Sequence, residues 1–544
     1  MSAAGSPTQA PSATESVRGG YRAVGILEDR LLDHDLARSV KGRPSAPFLT
    51  DKCGSYTYRQ IWDDVLGFAG ALQELGVGRG DVVSFQLPNR VEAAVAYFAT
   101  VLVGAICNPI VPIYREHEVS FILGQAHPKV VVIPSIYKGV DYRDLYDRAA
   151  EDCGHCPEIV VVDGDDGQGR ISYRDAKSSR PGRSLEERLS TDRAVLLYTS
   201  GTTASPKGVL HSHQTLRSEC RSIINSAGLT GADIVFMASP VTHVTGLLYG
   251  LQMPAMLGGS SILQESWDPG EAYCLLRDGG CTFTVGATPF LHGLVEVQGE
   301  GGAGLDSLRS FVCGGADVPP GLVASARSRL GVEVVRAYGL TELPTVTCGG
   351  LNDRPEKRAG TDGRPLPGTR VRIRDAKGLS RRYGEGELEA SAPEMFLGYL
   401  DPGLDGEAFT EDGWFRTGDL ASVDPDGYVT ILGRIKDIIV RGGENISVKE
   451  VEDVLFGHPA VSEIAIVGYP DTVMGQRMCA FVVPAGAVGP SKEDLRRFLA
   501  ERGMARQKAP ERVEIVGSLP KTPSGKVQKS KLRELAASVT FISK

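Results

Sequence analysis

Hydrophobic and polar positions follow two patterns along this chain, and the first pattern covers its N-terminal half. Short apolar runs, such as Val82 to Leu87 and Val130 to Ile133, predict buried strands. Between them, Tyr58 to Leu75 and Val91 to Leu102 carry apolar residues at helical spacing. Strands that alternate with helices predict parallel sheets with both faces covered.

Several further strands of this kind run into Gly, Ser or Thr. They are predicted at Ala194 to Tyr198, Ile234 to Met237, Phe283 to Val285 and Phe311 to Cys313. In open α/β sheets, ligands bind beyond the carboxyl ends of the strands. The loops that follow these strands are therefore the candidate positions for chemistry.

The second pattern begins near Gly368, where the strands become shorter and turns more frequent. A turn such as Asp424 to Gly427 between short strands predicts antiparallel β structure. After Arg434, two helices and two strands predict a small α+β domain, at Val448 to Phe456, Glu463 to Val467, Met478 to Val483 and Ser491 to Glu501.

Length and composition fit a globular protein of several units. The 544 residues predict roughly two to four compact units. The net charge of -8 gives no electrostatic reason to expect nucleic acid as a partner. Residues 1–18 are predicted to be a disordered tail, because the start is rich in Ala, Ser, Pro and Gly. It lacks the charged end and apolar core of a secretory signal. We find no apolar run long enough to span a bilayer.

The ten cysteines are scattered along the chain, which suits a reducing, cytoplasmic environment. Cys153 and Cys156 form one Cys-x-x-Cys pair, which is compatible with redox or zinc chemistry. Because no second pair follows at zinc spacing, a surface loop with free thiols is the favoured interpretation.

One loop has the composition of a polyphosphate site. The segment from Tyr198 to Gly208 contains five Ser or Thr hydroxyls, two glycines and Lys207, and it follows an apolar strand. Glycines let backbone N–H groups approach an anion, hydroxyls donate hydrogen bonds, and the lysine adds charge. The spacing differs from that of the common P-loop. The alternative is a Ser/Thr/Gly linker.

Four other motifs carry weaker signals. Tyr338 to Glu342 offers a ring for a nucleobase and a carboxylate for Mg²⁺, although a capped turn explains it equally well. Asp419, which ends Gly413 to Asp419, is suited to ribose hydroxyls, or is a turn residue. The fourth motif, Gly433 to Asn445, contains two adjacent glycines, and its alternative interpretation is a linker. The fifth is Pro520 to Lys526, and its alternative interpretation is a flexible basic tail.

In this order, the five motifs resemble the adenylate-forming superfamily of acyl-CoA synthetases, luciferases and peptide-synthetase adenylation domains, over about residues 20–535. The resemblance implies an α/β plus α+β architecture. A large N-terminal domain of two α/β sheets and a β subdomain would span 19–434, and a small mobile α+β domain would span 437–544, with a hinge at 435–436.

The resemblance also implies the site residues. ATP or AMP would be bound by Thr199, Ser200, Gly201, Thr202, Thr203, Lys207, Gly314, Gly315, Ala316, Tyr338, Gly339, Thr341, Asp419 and Arg434. Catalytic roles would fall to Lys526, Glu342, Thr341 and His243, with Glu342 as the Mg²⁺ ligand and Lys436 as the hinge. A coenzyme A tunnel would be lined by Gly442, Gly443 and Glu444, and an acyl pocket by Val241, His243, Val244, Gly286, Ala287, Phe290 and Thr345.

The implied reaction joins a carboxylic acid to ATP, giving acyl-AMP and pyrophosphate, and then transfers the acyl group to coenzyme A. The implied pocket walls are mostly small or apolar, which favours a hydrophobic medium-chain, alicyclic or polycyclic acid. Two alternatives stay open: loading of a carrier protein, and a non-catalytic nucleotide-binding protein. No carrier domain follows Lys526, which favours coenzyme A, and a homodimer is left open.

Overall fold

The computed structural model describes residues 13–164, 169–179, 187–199, 206–298, 304–315, 318–441, 444–471, 473–522 and 526–538. Its helices are α1 (Ala13–Ala23), α2 (Leu32–Gly42), α3 (Tyr58–Glu74), α4 (Val91–Leu102), α5 (Glu116–Ala126), α6 (Tyr142–Cys153), α7 (Tyr173–Ala176), α8 (His213–Ala227), α9 (Met253–Leu257), α10 (Pro269–Asp278), α11 (Thr288–Gln298), α12 (Pro320–Leu330), α13 (Pro355–Gly360), α14 (Asp405–Ala408), α15 (Val448–Phe456), α16 (Lys492–Glu501) and α17 (Lys529–Ser538). A π-helix, Gly246–Gln252, leads into α9, and short 3-10 turns lie at Pro402–Leu404, Ile435–Asp437 and Arg506–Lys508.

The strands, in chain order, are β1 (Pro47–Asp51), β2 (Gly54–Thr57), β3 (Val82–Phe85), β4 (Ile106–Pro109), β5 (Val130–Ile133), β6 (Ile136–Tyr137), β7 (Val140–Asp141), β8 (Glu158–Val161), β9 (Ile171–Ser172), β10 (Arg193–Thr199), β11 (Lys207–Ser212), β12 (Ile234–Met237), β13 (Ser260–Leu263), β14 (Phe283–Gly286), β15 (Ser310–Gly314), β16 (Glu333–Leu340), β17 (Leu343–Cys348), β18 (Arg364–Pro365), β19 (Arg370–Arg374), β20 (Ser380–Arg381), β21 (Gly384–Ser391), β22 (Gly398–Tyr399), β23 (Phe415–Val423), β24 (Val429–Arg434), β25 (Ile439–Arg441), β26 (Glu444–Ile446), β27 (Val461–Asp471), β28 (Gly475–Pro484) and β29 (Arg512–Ile515).

Two large sheets form the first part of the molecule. Counted over the described residues, one has nine strands in the order β18-β17-β16-β15-β14-β12-β13-β1-β2, and the other has eight in the order β22-β11-β10-β4-β3-β5-β8-β9. Both are parallel in the middle and antiparallel at an edge. Helix α4 is almost wholly buried between them, which explains why it is apolar all round.

Two smaller sheets follow along the chain. An antiparallel sheet of β20-β19-β21-β23-β24 carries the turn-rich region after Gly368. The last sheet, β26-β25-β28-β27 with β29 beside β28, packs with α15 and α16 around its own core. The predicted fold class, two α/β sheets with a β subdomain and a small α+β domain, is confirmed.

Most predicted elements lie where the hydrophobic pattern places them. Ser491 caps α16, since its side chain accepts from the backbone N–H of Asp494. Two details differ from the predictions. Strand β10 is expected from the sequence to lie between parallel strands, but it forms an antiparallel hairpin with β11. Residues 13–18, assigned to a disordered tail, form part of α1, because Arg18 and Tyr21 pack against a distant segment and donate to the carbonyls of Phe396 and Gly368.

Candidate active site

A polar corner forms where β16, β23 and β24 meet. Asp419 and Arg434 are cross-strand partners, and Nε of Arg434 lies 2.8 Å from Oδ1 of Asp419. The hydroxyl of Tyr338 donates to the other carboxylate oxygen. Burial raises the pKa of Asp419, while Arg434 and the Tyr338 hydrogen bond act in the opposite direction. The corner thus joins a carboxylate, a cation and an aromatic ring, which are the groups that recognise a nucleoside.

Glu342 and Lys207 lie on either side of Tyr399, a residue that the sequence analysis missed. The Tyr399 hydroxyl donates to Oε1 of Glu342 at 2.8 Å, and Nζ of Lys207 lies 5.1 Å from the centre of its ring. Strand register explains this arrangement, since Val209 of β11 pairs with Tyr399 of β22. The carbonyl of Thr341 is held by Nε2 of His211 at 2.8 Å. Nothing in the sequence around Tyr399 distinguishes it from a core tyrosine.

Lys526 comes from the C-terminal unit and reaches this corner. A Cβ atom built on Gly315, whose φ is +80°, would lie 3.6 Å from Cε of Lys526. Burial lowers the pKa of Lys526, Arg434 adds to this effect, and the carboxylates of Asp419 and Glu342 oppose it. The backbone of Lys526 is fixed by hydrogen bonds with Thr522, at 2.7 Å and 3.0 Å. The lysine is therefore positioned rather than loosely tethered.

His243 lies near Lys526 on the loop before the π-helix. Its Nδ1 accepts from the backbone N–H of Thr245 at 3.3 Å, so the neutral ring carries its proton on Nε2. Burial, and secondarily the charge of Lys526, lowers the pKa of His243 to about 4. At neutral pH the imidazole is uncharged and can donate a hydrogen bond through Nε2.

The loop that carries His243 is held by Asn89, which lies between β3 and α4. Oδ1 of Asn89 accepts from the N–H of Val241 at 2.7 Å, and its Nδ2 donates to the carbonyls of Ser239 and Gln264, both at 3.0 Å. Asn89 is buried. A buried amide with three backbone partners acts as a fixed clamp across the two large sheets.

The predicted acyl-pocket residues are buried and mostly apolar. Val241, Val244, Ala287 and Phe290 are among the buried residues, and the ring of Phe290 lies 4.7 Å from that of Trp267, centre to centre. Gly286 lets the ring of Phe290 pack closely against it, since a Cβ atom there would lie 3.0 Å from that ring. Thr345, which is also buried, contacts the Tyr249 hydroxyl through Oγ1 at 2.9 Å.

Other predicted residues are placed less completely. Gly314 ends β15, and Gly339 lies in β16, where a Cβ atom would come 1.8 Å from the carbonyl oxygen of Pro344, so only glycine fits. Thr199 ends β10 opposite Lys207. Lys436 is exposed in the turn Ile435–Asp437, and the backbone of Glu444 begins β26. Outside the described residues lie Ser200, Gly201, Thr202, Thr203, Ala316, Gly442 and Gly443.

The donor set at Glu342 fits magnesium. In the part of the chain that the structure describes, no group of three His, Cys, Asp or Glu side chains could cage a metal ion. Mg²⁺ in nucleotide enzymes is commonly held by one or two carboxylates together with substrate phosphates. A single carboxylate, with Lys207 in contact with the same tyrosine ring, matches that mode of binding.

A nucleoside corner on a large α/β domain, with a lysine delivered to it by a small α+β domain, defines the class of adenylate-forming enzymes. Models of two families agree: the AMP-binding enzyme model matches residues 36–400, and the AMP-binding enzyme C-terminal domain model matches residues 450–526. The chain belongs to the AMP-binding enzyme family. The predicted enzyme class, an AMP-forming acid–thiol ligase, is confirmed.

Relatives extend over nearly the whole chain. The medium-chain fatty-acid–CoA ligase of Escherichia coli (strain K12) is 33% identical over 96% of this chain and 93% of its own length. Triostin synthetase I of Streptomyces triostinicus is 33% identical over 94% of this chain and 98% of its own. The crystal structure of ATP-bound MatB from Rhodopseudomonas palustris superposes with a TM-score of 0.84 at 29% identity, covering 94% of this chain and all of that one.

Over the described ranges, none of the helices combines the length and the apolar character that crossing a membrane requires.

Proposed function

We propose that this protein is an ATP-dependent acyl-CoA synthetase. It would convert a carboxylic acid and ATP to acyl-AMP and pyrophosphate, and then transfer the acyl group to coenzyme A with release of AMP. The observation that carries the proposal is the approach of Lys526 to Gly315, beside the corner of Tyr338, Asp419 and Arg434. A cation at this point serves a reaction between two anions.

The first half-reaction is limited by charge repulsion. A carboxylate oxygen attacks the α-phosphorus in line, the new C–O–P bond forms, and the bond to pyrophosphate breaks. Lys526 and Lys207 would offset the repulsion between the acid and ATP, while Asp419 and Arg434 hold the ribose. Glu342 would hold Mg²⁺, which when bound neutralises phosphate charge. The mixed anhydride is prone to hydrolysis, and the partly buried position of Lys526 supports exclusion of water.

The second half-reaction needs a different wall beside the same acyl carbon. We propose that the small domain turns at Lys436, which withdraws Lys526 and brings the segment of Gly443 to the site. The short exposed turn Ile435–Asp437, between the third sheet and the last, supports a hinge at this point. His243, neutral with its proton on Nε2, would orient the acyl group at the tunnel.

The acid is proposed to be hydrophobic. The pocket walls offered by Val241, Val244, Ala287 and Phe290 are apolar and buried, and no cation among the predicted pocket residues would pair with a second carboxylate. The relative named for medium-chain fatty acids supports this choice. The lack of a disulfide among the ten cysteines, all of which lie in the described ranges, supports a cytoplasmic location.

Pyrophosphate release across a panel of acids, with and without coenzyme A, tests the proposal. We expect release with straight-chain and alicyclic acids, and formation of acyl-CoA when coenzyme A is present. The relative that is a triostin synthetase favours a second candidate, loading of a carrier protein. Acid-dependent release without any acyl-CoA would select that candidate, and no release with any acid would reject acyl activation altogether.

A further inference from the structure

A buried glutamate that contacts Thr345, one of the proposed acyl-pocket residues, has no role in the reaction described so far. Glu219 lies on α8, and its exposed fraction is 0%. Its Oε1 lies 2.6 Å from the hydroxyl of Tyr249, and its Oε2 accepts from the backbone N–H of Thr345 at 3.1 Å. Moving a carboxyl group out of water costs free energy unless the group is hydrogen-bonded. The hydrogen bonds of Glu219 are therefore needed to keep it buried.

The three side chains close a ring of hydrogen bonds. The Tyr249 hydroxyl also contacts Oγ1 of Thr345 at 2.9 Å. If Glu219 carries a proton, it donates to Tyr249, Tyr249 donates to Thr345, and the N–H of Thr345 donates back to Glu219. Burial, with the nearby Glu394 as a second cause, raises the pKa of Glu219 to about 8, so the protonated form persists at neutral pH. In that form every member of the ring is satisfied.

The ring joins two segments that carry proposed acyl-pocket residues. Tyr249 lies on the π-helix that follows the His243 loop, and Thr345 lies on β17, just after Glu342. Along the chain, Tyr249 is six residues beyond His243 and Thr345 is three residues beyond Glu342. Tyr249 is 4% exposed, so its ring has little room to move unless its hydroxyl is released. π-Helical turns often occur at functional sites, where they direct particular side chains.

We propose that Glu219 is a positioning residue that sets the depth of the acyl pocket, by fixing Tyr249 and Thr345 as its base. The inference rests on the proposed acyl activation. In this proposal Glu219 does not contact the acid. It fixes the positions of Tyr249 and Thr345, which would contact the far end of the acyl group. Selectivity between short and long or bulky acids should therefore depend on it.

The test compares kcat and KM for pyrophosphate release with butanoate, octanoate and cyclohexanecarboxylate. In Glu219→Leu and in Tyr249→Phe, we expect the ratio of kcat/KM between octanoate and butanoate to change by about tenfold, the effect of one buried hydrogen bond. The change should lie in KM, with kcat within about twofold of wild type. Glu219→Gln should retain the wild-type ratio, because its amide replaces the protonated acid in the ring.

Glu394→Leu provides the matched control. It removes a second buried acid near Glu219. Glu394 accepts from the Ser222 hydroxyl at 2.6 Å, and the structure gives it no contact with Tyr249 or Thr345. The inference holds if Glu219→Leu and Tyr249→Phe shift the ratio alike, if the double variant adds nothing, and if Glu394→Leu leaves the ratio unchanged. It is overturned if Glu219→Leu keeps the wild-type ratio, or if Glu394→Leu shifts it equally.

Two further readouts separate other kinds of failure. If Glu219→Leu does not fold, as its melting temperature will show, Tyr249→Phe decides the question. That variant removes only the hydroxyl and keeps the aromatic side chain in the core. If wild type activates no acid, the proposed function fails. If wild type activates acids while Tyr249→Phe leaves their relative KM values unchanged, only the positioning role is rejected.

Discussion

At the scale of single residues, the site contains charged side chains whose burial costs free energy. Hydrogen-bond and ion-pair partners offset most of that cost. The Asp419 carboxylate is bonded to Arg434 and Tyr338, and Glu342 is bonded to Tyr399. Lys526 is the exception, because it carries its charge into a partly buried position without a close ion-pair partner among the described residues. Such a cation is stabilised by an anionic ligand, which is what the first half-reaction supplies.

We expect Lys526→Ala to lower the rate of adenylate formation by about 10² to 10³-fold, the cost of removing one preorganised charge from a transition state. Conversion of supplied acyl-adenylate to thioester should persist, because the lysine is proposed to be withdrawn in that step. Single-turnover assays of each half-reaction measure both effects. Lys531→Ala, which removes an exposed lysine of α17, is the control. An equal loss in both half-reactions would contradict the division of roles.

At the scale of elements, strand ends and one clamp bring the site together. The β10–β11 hairpin presents Lys207, the β16–β17 turn presents Glu342, and the β23–β24 pair presents Asp419 with Arg434. The loop before the π-helix has no strand partner and depends on Asn89 instead. These elements come from both large sheets and the antiparallel sheet. The geometry of the site therefore depends on how these three sheets pack together.

Asn89→Leu should lower the free energy of unfolding by about 2 kcal/mol, since it leaves buried backbone groups unpaired. It should also raise the KM for the acid, because Val241 and His243 lose their support. Denaturant unfolding and acid titrations measure these effects. Asn108→Leu breaks a comparable buried bond to the carbonyl of Leu196, and we expect it to lose stability without raising the acid KM. If both variants raise the acid KM equally, the clamp is not specific.

At the scale of the whole molecule, two units share one reaction site. The larger unit carries the proposed nucleoside corner and acyl pocket, and the smaller unit carries Lys526, which follows β29 in the chain. The described structure therefore has the arrangement proposed for adenylate formation. The proposed change of state would take place by movement at the turn that contains Lys436.

Lys436→Pro is expected to separate the two states. Proline fixes φ near −65°, a value that a 3-10 turn accepts, so the present arrangement should survive while rotation is restricted. Adenylate formation should stay within about threefold of wild type, and thioester formation should fall by at least about tenfold, as expected of a gated step. Burst-phase kinetics measure the two rates. Lys436→Ala is the control, and a proline variant with normal thioester formation would place the hinge elsewhere.

The buried acids predict how stability changes with pH. Burial raises the pKa of Glu219 to about 8 and that of Glu394 to about 7, above the value of 4.5 expected in an unfolded chain. The folded protein then binds more protons than the unfolded chain between those values, so stability falls as pH rises from about 5 to 8. The slope is at most about 1.4 kcal/mol per pH unit for each group.

Melting temperatures at pH 5.5, 7 and 8.5 provide the measurement. Those of wild type should fall with pH more steeply than those of Glu394→Gln, which cannot ionise at this position. Parallel curves for the two proteins would show that Glu394 does not stay protonated in the fold.

Much of this architecture could be predicted from local patterns, and the exceptions have physical causes. The helix at Tyr58 was predictable because its apolar residues recur at helical spacing, and the buried strand at Val130 because its apolar run is continuous. Helix α1 was missed because its Gly-rich sequence has little intrinsic helix preference, and contacts of Arg18 and Tyr21 with residues hundreds of positions away stabilise it.

The sequence by itself determined the class of this protein. Motif residues such as Lys207, Glu342, Asp419 and Lys526 are present in a fixed order, and the alternation of strands and helices sets the sheets that carry them. Only the tertiary structure decided which side chains support them. Tyr399 meets Glu342 across 57 positions, and Asn89 meets Val241 across 152. Periodicity and propensity act over a few neighbouring residues, whereas such contacts exist only once the sheets have packed.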